Sequence, residues 1–134
     1  MALDQQEPTP PIGDQPQRGT VGVGHQASGL AVVSLRGEHD ISTQPDVTEA
    51  LEQAAAHSDV LVDLSECSFM DSTVVAALIK AAQAAHARDE RLVLVIPAEQ
   101  KNITRVAEIT HLGSIIAVHT SRSTALASLG QAGE

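Results

Sequence analysis

Three short, largely aliphatic runs constrain the fold of this chain more than any other feature. Residues 60–64 (Val-Leu-Val-Asp-Leu, one polar interruption), 92–96 (Leu-Val-Leu-Val-Ile) and 115–118 (Ile-Ile-Ala-Val) each have strand length. Segments with apolar residues at helical spacing separate them: Val47, Ala50, Leu51, Ala54 and Ala55, then Val75, Leu78, Ile79 and Ala82, then Ile103, Val106 and Ala107. Continuous apolar strands are buried on both faces, and alternation with helices is the pattern of a parallel sheet under helical cover. The chain has 134 residues, one Phe and no Trp or Tyr, so a single aliphatic core is expected.

The remaining elements complete the order. Residues 20–25 form a weak strand loosened by Gly22 and Gly24, Ala27-Ser28-Gly29 a turn, and residues 30–35 a better strand. Together they predict an antiparallel hairpin that makes the sheet mixed. Ser42 or Thr43 offers an N-cap with Pro45 near the first helical position, and that helix is expected to stop near residues 57–59. A third helix over 99–110 and a last short one over 121–129 give the order β-β-α-β-α-β-α-β-α. The predicted fold is α/β, a mixed, mostly parallel sheet of four to five strands covered by helices, in one domain over residues 20–130. Residues 1–19 carry Pro8, Pro10, Pro11 and Pro16 and almost no large apolar side chain, so a flexible tail is expected there, with a short C-terminal tail at 131–134.

Charge and chemistry exclude several functions. Acidic residues outnumber Lys plus Arg by 17 to 8, a net charge of -9, and no aromatic platform exists for base stacking. Neither nucleic acid nor an anionic membrane suits such a chain. The single Cys67 permits no internal disulfide, and a small buried thiol is the simplest reading. No apolar run reaches the length of a membrane span, no apolar signal segment opens the chain, and a cytoplasmic location is expected.

No catalytic site is expected either. Gly22 and Gly24 lack the spacing of a phosphate loop. His25, His39, His57, His86, His111 and His119 form no metal-binding pattern and read as solvated or partly packed side chains. No cofactor or metal is expected. Of the carboxylate pairs, Glu38 with Asp40 and Asp63 with Glu66, neither marks a pocket, and Asp40 fits either capping of the next helix or contact with a partner. Glu49 and Glu52 read as a solvated helix face.

One segment departs from this plain pattern. Phe69-Met70-Asp71-Ser72-Thr73-Val74-Val75 ends a strand and opens a helix with three consecutive residues able to cap it. Either the N-cap is over-endowed, or a surplus hydroxyl stands at the surface. Phosphorylation of such a hydroxyl adds about -1.5 to -2 charges and three acceptor oxygens. A helix N-terminus tolerates that anion, so the modification acts on binding rather than on folding. Ser72 lacks the turn and partners of a hydrolase nucleophile.

The run Asp63-Leu64-Ser65 followed by Phe69-Met70-Asp71-Ser72-Thr73 resembles the signature of the STAS-domain anti-sigma factor antagonists of bacterial partner-switching systems. Leu35-Arg36-Gly37-Glu38-His39-Asp40-Ile41 is similar to a second family segment, and Ile103-Thr104-Arg105-Val106 with Leu112, Ile115 and Ile116 to its late helix and last strand. The resemblance implies a partner, an anti-sigma factor that is a serine kinase of the histidine-kinase-like ATPase type, and a phosphatase that reverses its action. It implies Ser72 as phosphoacceptor, Thr73 as fallback, and Asp40, Asp71, Ser72, Thr73 and Val74 as the partner-binding set. Val74 and Ala76 stand where the family usually carries glycine, and His111 where a glycine is common. The alternative is a STAS subunit docked permanently on another assembly, such as a lipid-transport ATPase. A nucleotide or small-molecule sensor ranks last, because no phosphate cradle is present.

Overall fold

The structure, a computed structural model, describes residues 18–26, 28–56 and 58–130. Ten elements follow in order: β1 Thr20–His25, β2 Ala31–His39, α1 Gln44–Ala55, β3 Val60–Met70, α2 Ser72–Ala87, β4 Leu92–Val95, α3 Lys101–Ile109, a 3-10 turn Leu112–Ser114, β5 Ala117–His119 and α4 Arg122–Ser128. The strands lie side by side in chain order. β1 runs antiparallel to β2, and every later pair is parallel. The predicted mixed, mostly parallel sheet with four helices in one domain is therefore the observed fold.

The period-2 alternation of the strands sorts side chains between two layers. Ala31, Val33, Leu35, Val62, Leu64 and Leu94 meet Val47, Leu51, Val75, Leu78 and Ile103 from α1, α2 and α3 in the main core. On the opposite face, Val32, Leu61, Val93 and Val95 are covered by Ala125, Leu126 and Leu129 of the α4 region. Each fully buried aliphatic side chain contributes about 1.5–3 kcal/mol, so the two layers hold the sheet without aromatic help.

Two strands are longer than their apolar runs predict. β2 and β3 continue beyond Leu35 and Leu64 as a ribbon reaching His39 and Met70. The β3–β4 pairing stops at Asp63 and Val95, so this ribbon projects past the rest of the sheet. Its register shifts between Ser34 and Arg36 and between Gly37 and Glu38. Gly37 sits at the second irregularity with φ 80°, a left-handed conformation that glycine adopts without the clash of a Cβ. The bulges break the alternation of polar and apolar residues, which is why residues 65–70 do not look like strand.

Four further differences concern ends and packing. α3 and α4 are shorter than predicted by one or two residues at their ends, and β5 starts two residues later and ends one residue later than predicted. Arg18 and Gly19, placed with the tail by composition, lie against β2. Arg18 bridges to Glu38, and a Cβ on Gly19 would stand 2.5 Å from the Glu38 carbonyl and against the His39 ring. The rest of the expected N-terminal tail, residues 131–134, Ala27 of the predicted turn and His57 lie outside the described residues. His111 adopts φ 55° and ψ 36°, a left-handed conformation that costs a residue with a Cβ roughly 1–2 kcal/mol.

Candidate functional site

The projecting β2–β3 ribbon carries the segment singled out by sequence. α3 supports it from the side: the Gln100 side-chain amide donates to the Ser65 carbonyl, and Asn102 Nδ2 donates to the Ser68 carbonyl at 3.4 Å. At its tip β3 ends at Met70, Asp71 takes an extended conformation, and α2 begins at Ser72.

Capping of α2 falls to Asp71 alone. Its Oδ1 accepts from the backbone N–H of Thr73 at 3.0 Å and of Val74 at 3.2 Å. The same oxygen accepts from the Thr73 hydroxyl at 2.6 Å. Thr73 is half-buried and its hydroxyl is committed to the cap. Ser72 is exposed, and among the described residues no hydrogen bond holds its hydroxyl. The three cap-competent residues thus divide their roles: one caps, one braces the cap, and one faces solvent.

The loop after β2 lies beside this turn. The backbone N–H of Asp71 donates to the His39 carbonyl at 3.2 Å, which ties the start of the Asp40 loop to the cap of α2. Asp40 is exposed, and its Oδ1 accepts from the Ser42 N–H at 2.9 Å and the Ser42 hydroxyl at 2.6 Å. Those two hydrogen bonds to the ionised form hold the Asp40 carboxyl below the usual carboxylate range. The N-cap position of α1 belongs to Thr43, with Pro45 in the first turn, but no side chain caps that helix. The Asp40 carboxylate closes its own turn instead.

Thr43 has another task, and so has His39, one of the histidines that the sequence reads as solvated or partly packed. His39 is fully buried. Its Nε2 lies 3.1 Å from the Arg36 carbonyl, an acceptor only, so Nε2–H donates there. Nδ1 lies 3.0 Å from the Thr43 hydroxyl, which also lies 3.2 Å from the Asp40 carbonyl, and the Thr43 oxygen accepts from the Asp40 N–H at 3.1 Å. This buried chain pins the loop to the end of β2. Nothing in the local sequence distinguishes His39 from the other histidines, because its burial follows from the bulge that precedes it.

Val74 requires a correction. Its side chain is fully buried in the main core, so it presents no surface to a partner. The helical spacing of Val74, Leu78 and Ala85 contained this signal, since positions 74 and 78 share a face. Sequence reading also passed over two exposed apolar side chains at this end of the sheet. Ile41 is 70% exposed in the Asp40 loop, and Phe69, the one aromatic residue, is 42% exposed on the ribbon. Asp40, Ile41, Phe69, Asp71 and Ser72 therefore come together at one end of the sheet.

Other candidates are structural. Cys67 is buried, donates to the Phe69 carbonyl at 3.4 Å, and burial pushes its thiol up to about 11. Asp63 accepts from the Ser65 hydroxyl and pairs with Arg122 at 2.7 Å, fastening α4 to the sheet. Burial opposes its ionisation, but the Ser65 and Arg122 hydrogen bonds outweigh it and leave the carboxyl below its ordinary value. Among the described residues, no group of three or more His, Cys, Asp or Glu is placed to hold a metal ion, and no helix is long and apolar enough to cross a membrane.

Comparison with known proteins agrees with this fold. A family model described as the Mlab STAS domain matches residues 24–117. The anti-sigma-B factor antagonists of Listeria monocytogenes and Listeria innocua are each 34% identical over 88 residues, covering 64% of this chain and 75% of theirs. An anti-sigma factor antagonist from Mycobacterium paratuberculosis shares the fold with a TM-score of 0.71 at 22% identity, over 85% of this chain and 96% of that one. SpoIIAA of Bacillus, an anti-sigma factor antagonist solved in unphosphorylated and phosphorylated forms, gives TM-scores of 0.63 and 0.62 at 17% and 19% identity, over 81% of this chain and 96% and 98% of those. The family match spans most of the folded region, and with the order of elements and the Asp-Ser-Thr cap it places this chain in the STAS-domain family of anti-sigma factor antagonists.

Proposed function

We propose that this protein is an anti-sigma factor antagonist that binds a kinase-type anti-sigma factor and is switched by reversible phosphorylation of Ser72. The observation that carries this reading is the division of roles at the start of α2. Asp71 satisfies the helix, Thr73 is committed to Asp71, and the Ser72 hydroxyl is exposed with no structural duty.

The chemistry follows from that placement. The partner docks on the surface of Asp40, Ile41, Phe69 and Asp71, where two exposed apolar side chains supply area to bury and two carboxylates supply register. In the kinase reaction the Ser72 oxygen attacks the γ-phosphorus of ATP. Its proton passes to a base of the kinase, and the bond to the leaving ADP oxygen breaks. The product carries about -1.5 to -2 charges beside Asp71 and the Asp40 loop. The N-terminal end of α2 accommodates the new anion, so the fold persists. A docked partner must instead desolvate or oppose it, and the complex weakens. Hydrolysis by a phosphatase restores the binding form. A neighbour in fold that exists in both phosphorylation states supports this reading.

Calorimetric titration with the host's anti-sigma kinase tests it. Wild type and Ser72→Ala are expected to bind, and Ser72→Asp to bind at least about tenfold more weakly, a loss of roughly 1.4 kcal/mol. With ATP, wild type is expected to gain one phosphate and Ser72→Ala none. Equal affinities of wild type and Ser72→Asp, with no phosphate gained, would instead support a permanently docked STAS subunit, for example on a lipid-transport ATPase. The matching family model is a STAS domain and fits both readings.

A further inference from the structure

The sheet ends at β1, away from Ser72, and that end combines three features. First, β1 is an edge strand, and among the described residues nothing pairs with its outer side. Every second residue of such a strand turns its N–H and C=O outward. Its sequence, Thr-Val-Gly-Val-Gly-His, has no Lys, no Asp or Glu and no Pro, so the strand itself lacks the charges and prolines that often protect an edge. The opposite edge, β5, is only three residues long.

Second, a groove of about 500 Å3 runs between β1 and the helix packed on it, α1. Its floor is Val21, Val23 and Ala50, and Val23 is 40% exposed. Third, its rim is acidic and polar: Asp46, Glu49 and Gln53, all exposed, stand along α1 above the strand.

We infer that β1 is a second docking site, which takes an extended, basic segment of a partner protein as a sixth strand. Main-chain hydrogen bonds to the edge provide the pairing, and the alternate side chains that point toward α1 are Lys or Arg, whose aliphatic stems lie over Val21 and Val23 while their charged heads meet Asp46 and Glu49. Charge selects this occupant over two others. A second copy paired about a two-fold axis would keep both α1 helices on one face of the joined sheet and bring their Asp46 and Glu49 together. The chain's own residues 1–17 carry Asp4, Glu7 and Asp14, no Lys or Arg, and four prolines that cannot donate to a strand ladder. The site is independent of the Ser72 switch.

The full chain, labelled with nitrogen-15, is titrated with a short capped peptide alternating lysine and valine, and with one alternating glutamate and valine. The lysine peptide is expected to shift the amides of Thr20–His25 and slow the exchange of the outward-facing ones, and the glutamate peptide to leave them unchanged. Glu49→Lys is expected to weaken lysine-peptide binding at β1 by roughly fivefold, in keeping with the loss of one exposed ion pair. Glu108→Lys, the same charge reversal on α3, is expected to leave binding at β1 within about twofold of wild type. The proposal is overturned if β1 does not respond at about 1 mM lysine peptide, if both peptides bind alike, or if Glu49→Lys and Glu108→Lys weaken binding equally. It is also overturned if the outward-facing β1 amides, those not bonded to β2, are already protected without peptide. Protection that rises with protein concentration and a doubled mass would assign the edge to a second copy. Protection independent of concentration would assign it to the chain's own N-terminal segment.

Discussion

The carbonyl of His39 accepts the backbone N–H of Asp71 at 3.2 Å, joining the last residue of β2 to the residue that caps α2. Two loops far apart in sequence thereby form one surface. The buried His39 ring holds the Asp40 side of it, and the Asp71 carboxylate holds the Ser72 side. The candidate site is therefore rigid at its base and exposed at its hydroxyl.

Replacing Asp71 with Ala removes the acceptor of two backbone N–H groups and of the Thr73 hydroxyl. The expected loss is about 1 kcal/mol of folding stability, within the 0.5–2 kcal/mol range for caps. Urea denaturation gives the value through the midpoint at unchanged slope. Ser72→Ala, which removes no such bond, is expected to stay within about 0.5 kcal/mol of wild type.

Val74→Gly removes a side chain that is fully buried. Loss of that burial and of helix propensity is expected to cost roughly 2–4 kcal/mol. Calorimetric melting is the check. A neutral effect would mean that this position does not pack as the structure has it.

Asp63 determines part of the acid response. Its carboxyl is held below the ordinary value in the folded state, so it contributes stability above the unfolded-state pKa, near 3.8. That contribution is lost as pH falls through the lower, folded-state value. Asp63→Asn is expected to be less stable than wild type at pH 7, with the difference shrinking progressively below about pH 4. Denaturation midpoints across pH 2–7 measure it.

Cys67 is expected to resist thiol reagents in the native protein. Its thiol titrates at about 11 and its side chain is buried, so very little thiolate exists at pH 8. Labelling with an aromatic disulfide reagent is expected to be slow in buffer and fast in denaturing urea. Rapid native labelling would show that the ribbon opens easily.

Particular residues mark how far the sequence reached. Val47, Ala50, Leu51, Ala54 and Ala55 were legible as one buried face, and all five are buried. The Asp71-Ser72-Thr73 cap was legible as a site, but which of its three members faced solvent was not, because all three side chains have cap chemistry. Val74 was misplaced although its spacing to Leu78 carried the answer. His39, Ile41 and Phe69 were beyond reach: two register shifts in the β2–β3 pairing determine which way the neighbouring side chains point.

The sequence by itself determined the order of elements, the mixed sheet and the helix faces turned to the core. Those depend on local periodicity, which a chain carries whatever it touches. The tertiary structure decided the length of the projecting ribbon, the burial of His39 and Val74, the meeting of the Asp40 and Asp71 loops, and the unpaired edge of β1. These depend on strand register and on which elements lie side by side. Both are settled by long-range pairing and packing, which no short window of residues contains.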